Sequence, residues 1–183
     1  MRRYHLDEVL GPVVLVVVAA LLGTLVSIST QTYFTDTLVK VSIVVALYVF
    51  IGNSGVLSVG HVSFVALGAW TAGVLTVPPS EKPAIMPNLA GFLQHRHVDN
   101  VESLVLAALV GGIAAFLVGI PLMRLSGLAA GIATFAVLEI THNLLQYQER
   151  IGPGLNAFSS VPETTGLRQA AIGAVVCVVV AFL

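Results

Sequence analysis

Three ionisable side chains lie deep in apolar stretches of this sequence: His61, Glu139 and His142. An unpaired charge at the centre of a bilayer costs ~2.5–3.5 kcal/mol on insertion scales, so such groups should face protein, water or a solute. His61 reads either as a neutral imidazole bonded to a backbone carbonyl or as a lining residue of a pathway. Glu139 and His142 are three apart and share a helix face, which fits a local hydrogen-bonded pair or a place on a solute route. A proton relay would need more intramembrane carboxylates than Glu139 supplies. Asp36 and Lys40 are four apart, acid before base, the favourable order for a pair on one helix face. They read as a structural pair or an interface anchor, with a place in a transport path as the sharper alternative. His95 and His97 have the types to hold a metal, but a polar loop with two histidines is more simply solvated, and no metal site is expected. Cys177 sits in an apolar run with nothing to lower a thiol pKa, so it reads as a small apolar residue. No side chain reads as an activated nucleophile, and the chain alone is not expected to be an enzyme.

The elements that must position these groups are membrane helices. Of the 183 residues, 57% are hydrophobic and 9% charged, and the mean hydropathy is +0.98. A soluble domain carries about a quarter charged residues, so lipid must be the main solvent of this chain. The net charge of −1 offers no argument for nucleic acid. The charges cluster, and the gaps between clusters are long apolar segments. Val9–Ile28 has the length of a span, about 30 Å at helical rise. Arg2 and Arg3 precede it, but Asp7 and Glu8 and the missing cleavage site argue against a signal peptide. A second helix is expected at about Phe34–Ile51, a third segment at Val56–Val77, a fourth at Ser103–Met123 and a fifth at Leu125–Leu145. The prolines at 78, 79, 83 and 87 exclude a regular helix in the loop that follows the third. Ala170–Leu183 is apolar but covers only about 21 Å, too short for the hydrocarbon core. The expected fold is therefore all-α: a polytopic transmembrane helix bundle of about five full spans plus a sixth cut short. Residues 1–183 would form a single transmembrane domain, apparently C-terminally truncated, with extramembrane loops at about 78–102 and 146–168. With Arg2, Arg3 and Arg124 inside, the two longer loops fall outside.

Small residues point to a packed bundle rather than an anchor. Ala107, Gly111, Ala115 and Gly119 recur every four residues. Gly127 and Gly131 form a GxxxG, and Gly68 and Ala69 with Gly73 repeat the theme in the third segment. Lipid gives no hydrophobic drive for helix association, so close backbone approach must supply the contact. The stretch Gly52-Asn53-Ser54-Gly55-Val56-Leu57-Ser58-Val59-Gly60-His61 interrupts two apolar segments with glycine and serine. It fits a broken membrane segment that presents backbone groups to a polar solute, and equally a plain turn between helices.

From Gly55 to Trp70 the chain reads Gly-Val-Leu-Ser-Val-Gly-His-Val-Ser-Phe-Val-Ala-Leu-Gly-Ala-Trp. This resembles the pattern Gly-x-x-Ser-Leu-Gly-His-Ala-x-Phe-x-Gly-x-Gly-Ala-Tyr of permease subunits of branched-chain amino-acid ABC transporters, a family with urea and short-amide relatives. Ser58, Gly60, His61, Phe64, Gly68 and Ala69 agree. A second stretch, from Arg124-Leu125-Ser126-Gly127 through Ile132-Ala133-Thr134-Phe135-Ala136 to Glu139, resembles the family's Arg-Leu-Arg-Gly-Leu-x-x-Ala-Ile-x-Thr-Leu-Ala-x-x-Glu. Trp70, Ser126 and Gly131 depart from the usual Tyr, Arg and Ala. The family's Thr-Gly-Gly and Asn-Gly are degraded to Ile151-Gly152-Pro153-Gly154-Leu155-Asn156-Ala157, which puts the solute in question.

The resemblance covers about Tyr33 to Gly166 and implies the N-terminal portion of an importer permease in a bacterial or archaeal plasma (inner) membrane. It implies a second permease subunit, two cytoplasmic ATPase subunits that bind ATP and Mg, and an external solute-binding protein as partners. No cofactor is expected on this chain, which has no GxxxxGK[ST] loop. Gly55, Ser58, Gly60, His61, Phe64 and Glu139 become the candidate substrate pathway, and alternating access the expected mechanism. Two other classes fit the apolar segments: a secondary transporter or channel, and a non-transporting membrane scaffold.

Overall fold

In a computed structural model, residues 6–55, 58–154, 158 and 166–182 are described, and every regular element among them is a helix. In order these are α1 (Leu6–Thr24), α2 (Ile28–Ser54), α3 (His61–Thr76), α4 (Lys82–Ile85), α5 (Gly91–Gln94), α6 (Asn100–Leu122), α7 (Gly127–Tyr147) and α8 (Leu167–Phe182). Three are long and apolar enough to cross a membrane, within α2, α6 and α7, and Gly11–Thr24, His61–Thr76 and Leu167–Ala181 form shorter apolar helices. The sequence pointed to about five full spans; among the described residues, length and composition qualify three.

The helix ends follow local chemistry. At the end of α2, Gly55 takes φ 66°, and its N–H closes on the Ile51 carbonyl at 2.8 Å. That left-handed cap is a position glycine fills without strain. α3 starts later than the apolar run suggests, because Val59 and Gly60 form a turn whose carbonyls accept from the Val62 and Ser63 amides. Gly127, at φ 58°, turns the chain into α7. The proline-rich loop does hold helix, against expectation, but only as the single turns α4 and α5. Pro83 sits in the first turn of α4, where its missing N–H has no intrahelical partner to lose.

The chain groups into two compact units, Met1–Gly55 with Glu163–Leu183, and Val56–Pro162. In the first, α8 packs against both α1 and α2. Ala170, Ala174 and Val178 recur every four residues along α8 and are buried with Val16 and Leu38. Gly23 lets α1 come close: a Cβ there would lie 2.9 Å from Leu167 and 3.3 Å from Phe34. On α2, Lys40 and Asp36 pair at 2.5 Å on an exposed face.

In the second unit α3 packs on α6 and on α7. Its C-terminal end carries a small core of Val74, Val77, Met86 and Leu89, ringed by Trp70, Ile85, Leu93 and Phe158. Beneath the loop Lys82 is fully buried, and its Nζ donates to the Leu93 carbonyl at 2.8 Å and to that of Arg96. The ammonium thus ties residues 93–96 back onto α4, and burial pushes its pKa down. The Val98 amide donates to Leu75 O at 3.2 Å and that of Ala90 to Arg150 O at 3.0 Å, so the 78–99 and 148–154 loops gather at the same end of the unit.

Candidate functional site

Gly60 brings the two quoted sequence stretches together. A Cβ at this position would lie 2.8 Å from the Thr134 carbonyl oxygen and 3.2 Å from Thr134 Cβ. The first turn of α3 therefore crosses α7 at backbone distance, a contact that only glycine permits without a shift. At the far end, Trp70 Nε1 donates to Ile151 O at 3.0 Å, and a Cβ on Gly152 would fall 2.3 Å from the indole. Phe158 meets Trp70 edge-on, with ring centroids 5.0 Å apart. The two helices run in the same direction, pinned at both ends.

Between the pins they part to leave a cleft of about 420 Å³. Small-molecule sites span roughly 300–1,000 Å³ and are mostly apolar with a few placed polar groups. The α3 wall is Val62, Ser63, Ala66 and Trp70. The α7 wall is Leu138, Thr141, His142, Leu145 and Gln146, and Gly154 and Phe158 close the loop end.

Ser63 differs from many of the helix hydroxyls. Thr35, Thr37, Ser42, Thr71, Thr76, Ser103 and Thr134 each donate to a carbonyl of their own helix three or four residues back. Ser63 is 0% exposed, and its Oγ has no hydrogen-bond partner among the described residues. Leaving a buried hydroxyl unsatisfied costs about 1–3 kcal/mol. The Nδ1 of His61 is likewise buried without a partner.

The residues picked from sequence are placed as follows. Ser58 and Gly60 are buried, His61 opens α3, and Phe64 turns its carbonyl toward Gly111, where a Cβ would lie 3.2 Å away. Gly55 is exposed at the α2 cap, and Val56 and Leu57 lie outside the described residues. Glu139 is exposed and is not part of the cleft wall. Its carboxylate accepts from Asn143 Nδ2 at 2.9 Å, and the same amide donates to Glu139 O at 2.8 Å. The helix neighbour that holds this carboxylate is therefore Asn143, four residues on, while His142 turns to the cleft. His95 and His97 are exposed in the loop, and of the degraded loop Leu155-Asn156-Ala157 lies outside the described residues.

Of the small residues, Gly68 faces the Ala107 carbonyl, with a Cβ distance of 3.5 Å, and Gly73 faces the Phe158 ring at 3.1 Å. Ala69 is exposed and Ala115 half-buried. Gly119, Gly127 and Gly131 meet no neighbouring atom within 4 Å among the described residues. Reading single helices misses Ser63, Thr141 and His142 as a group, since they sit on two helices. The signal within reach is that Ser63 falls in the first turn of α3, on the side facing α7.

The chain is 30% identical over 151 residues, 82% of its length, to the high-affinity branched-chain amino acid transport system permease protein LivM of Salmonella typhimurium. It is 29% identical over 153 residues, 84% of its length, to the protein of the same name from Escherichia coli. The chain spans 32% of the length of each of these curated relatives. No protein-family model and no solved structure matches it. Over most of its own length the chain is thus similar to permease proteins of branched-chain amino acid transport systems.

Proposed function

We propose that this chain is membrane-spanning permease sequence of an ATP-driven importer, moving branched-chain or related amino acids by alternating access. The observation that carries the reading is the similarity to the LivM permease proteins over 82% and 84% of the chain. Apolar helices joined by short breaks and polar loops support it. A second permease subunit, two cytoplasmic ATPase subunits holding ATP and Mg, and an external solute-binding protein complete the assembly. It resides as a multi-pass protein in a bacterial or archaeal plasma membrane, with the 78–99 and 148–154 loops on the outer side. ATP binding and hydrolysis in the partners favour one opening over the other, because they contact the two states differently. Gly60 and His61 stand beside the route, at the crossing of α3 and α7.

The test is uptake of radiolabelled L-leucine by cells expressing the protein with its partner subunits, alongside pull-down in mild detergent. Uptake abolished by orthovanadate, with an ATPase subunit co-purifying, supports the reading. Uptake that survives vanadate but collapses with the proton gradient overturns it in favour of a secondary transporter.

A further inference from the structure

We propose that the cleft between α3 and α7 is a binding site for an aliphatic amino acid, taking its side chain against Ala66, Leu138 and Trp70 and hydrogen-bonding its polar end through Ser63. The proposal rests on the permease reading for its choice of solute, but the site is argued from geometry. The cleft, about 420 Å³, is open to entry and lined mostly by carbon. A water molecule occupies about 30 Å³ in the liquid, so the cleft has room for a small solute and some of its water. The α7 wall adds Thr141, His142 and Gln146 as further hydrogen-bonding groups.

A lipid chain would fill the apolar part but leave the Ser63 hydroxyl as it is now, fully buried and unpaired. Eight other helix hydroxyls, Thr24 among them, satisfy themselves on their own backbone. Ser63 is held out of that arrangement, as it would be if its partner came from outside the chain. A solute with an apolar body and a polar head matches both halves of the wall. With no Lys, Arg, Asp or Glu on the wall, a solute with a net charge finds no counter-charge there, whereas an aliphatic amino acid is a zwitterion with no net charge.

Trp70 is the single tryptophan of the chain and forms part of the cleft wall, so its emission reports occupancy directly. The experiment titrates L-leucine into the purified full chain in lipid nanodiscs and follows tryptophan fluorescence, with L-lysine and L-glutamate as comparisons. The expected result is a saturable change with L-leucine and none with the charged amino acids. Ser63→Ala should weaken binding about tenfold, the effect of one hydrogen bond to a charged group. Ala66→Phe should abolish the response, and the milder Ala66→Leu should weaken it if the larger side chain disturbs folding, as judged by helix content and elution. A flat response with L-leucine overturns the proposal, and so does an Ala66→Leu protein that titrates like the wild type. Quenching of Trp70 by brominated acyl chains that L-leucine does not relieve overturns it too, assigning the cleft to lipid. Binding without leucine uptake in cells would sink the permease reading and keep the site; uptake without a response at Trp70 would do the reverse.

Discussion

Helix α3 meets its two long neighbours in opposite ways. Against α6 the contact is a closed seam: Gly68 faces the Ala107 carbonyl and Gly111 faces that of Phe64, each helix offering a small residue to the other's backbone. Against α7 the backbones touch at Gly60 and the Trp70–Gly152 contact holds the other end, and the span between them is open. Both contacts rely on glycine, because in lipid two helices are held by close approach rather than by hydrophobic burial. The difference lies in what stands between the glycines. On α6 small residues continue every four positions, whereas on α7 Leu138, Thr141 and His142 line the open stretch beside α3. Spacing of glycines thus decides where a helix pair is sealed and where it leaves room for a solute.

The sharpest way to break this contrast is at the pins. A methyl group at residue 152 would fall inside the indole and one at residue 60 against a backbone oxygen. Gly152→Ala and Gly60→Ala should each cost about 1–3 kcal/mol in reversible unfolding in detergent, the usual penalty of overpacking. In Gly152→Ala the emission of Trp70 should also shift to the red, as the ring leaves its seat; an unchanged spectrum would remove that pin from the account. Next comes Gly111→Ala, whose Cβ would sit 3.2 Å from Phe64 O. A small loss, below about 1 kcal/mol, is expected there, since helix propensity gains about as much. Gly131→Ala, with nothing within 4 Å among the described residues, should be neutral or slightly stabilising. A large loss at residue 131 would instead mark it as a contact with another subunit.

The smallest expected effect is one of pH at the loop end. Burial lowers the pKa of Lys82, so between that value and the unfolded value near 10.4 the unfolded chain binds more protons. Stability should therefore rise as the pH rises through this interval. Lys82→Met should lack that rise, and thermal unfolding followed at Trp70 between neutral pH and about pH 10 measures the difference.

Much of this was legible in the sequence, for a physical reason. Charge clusters and apolar runs locate the helices, because a bilayer tolerates few charges, and Gly60 and His61 stand out in a conspicuous break. The pairing of elements is less legible. The 3.6-residue period puts both His142 and Asn143 within reach of Glu139, and only the rotamers decide for Asn143. Gly127 and Gly131 have the spacing of a packing motif, yet the first is spent on a turn with positive φ. Nothing in the sequence marks Lys82, a loop charge, as buried, yet carbonyls of the same loop enclose it. Ser63 occupies a position the family pattern leaves free, and its importance depends on α7, which a single helix cannot reveal.

The most direct test of an open cleft beside a closed seam is thiol accessibility at two positions, in a Cys177→Ser background. Ala66→Cys would place its thiol on the cleft wall and Ala107→Cys in the α3–α6 seam. Each is treated in membranes with a small, charged methanethiosulfonate reagent. The account predicts that the thiol at 66 is modified, that L-leucine slows its modification, and that the thiol at 107 is protected. Equal protection at both positions, or faster reaction at 107, would contradict it.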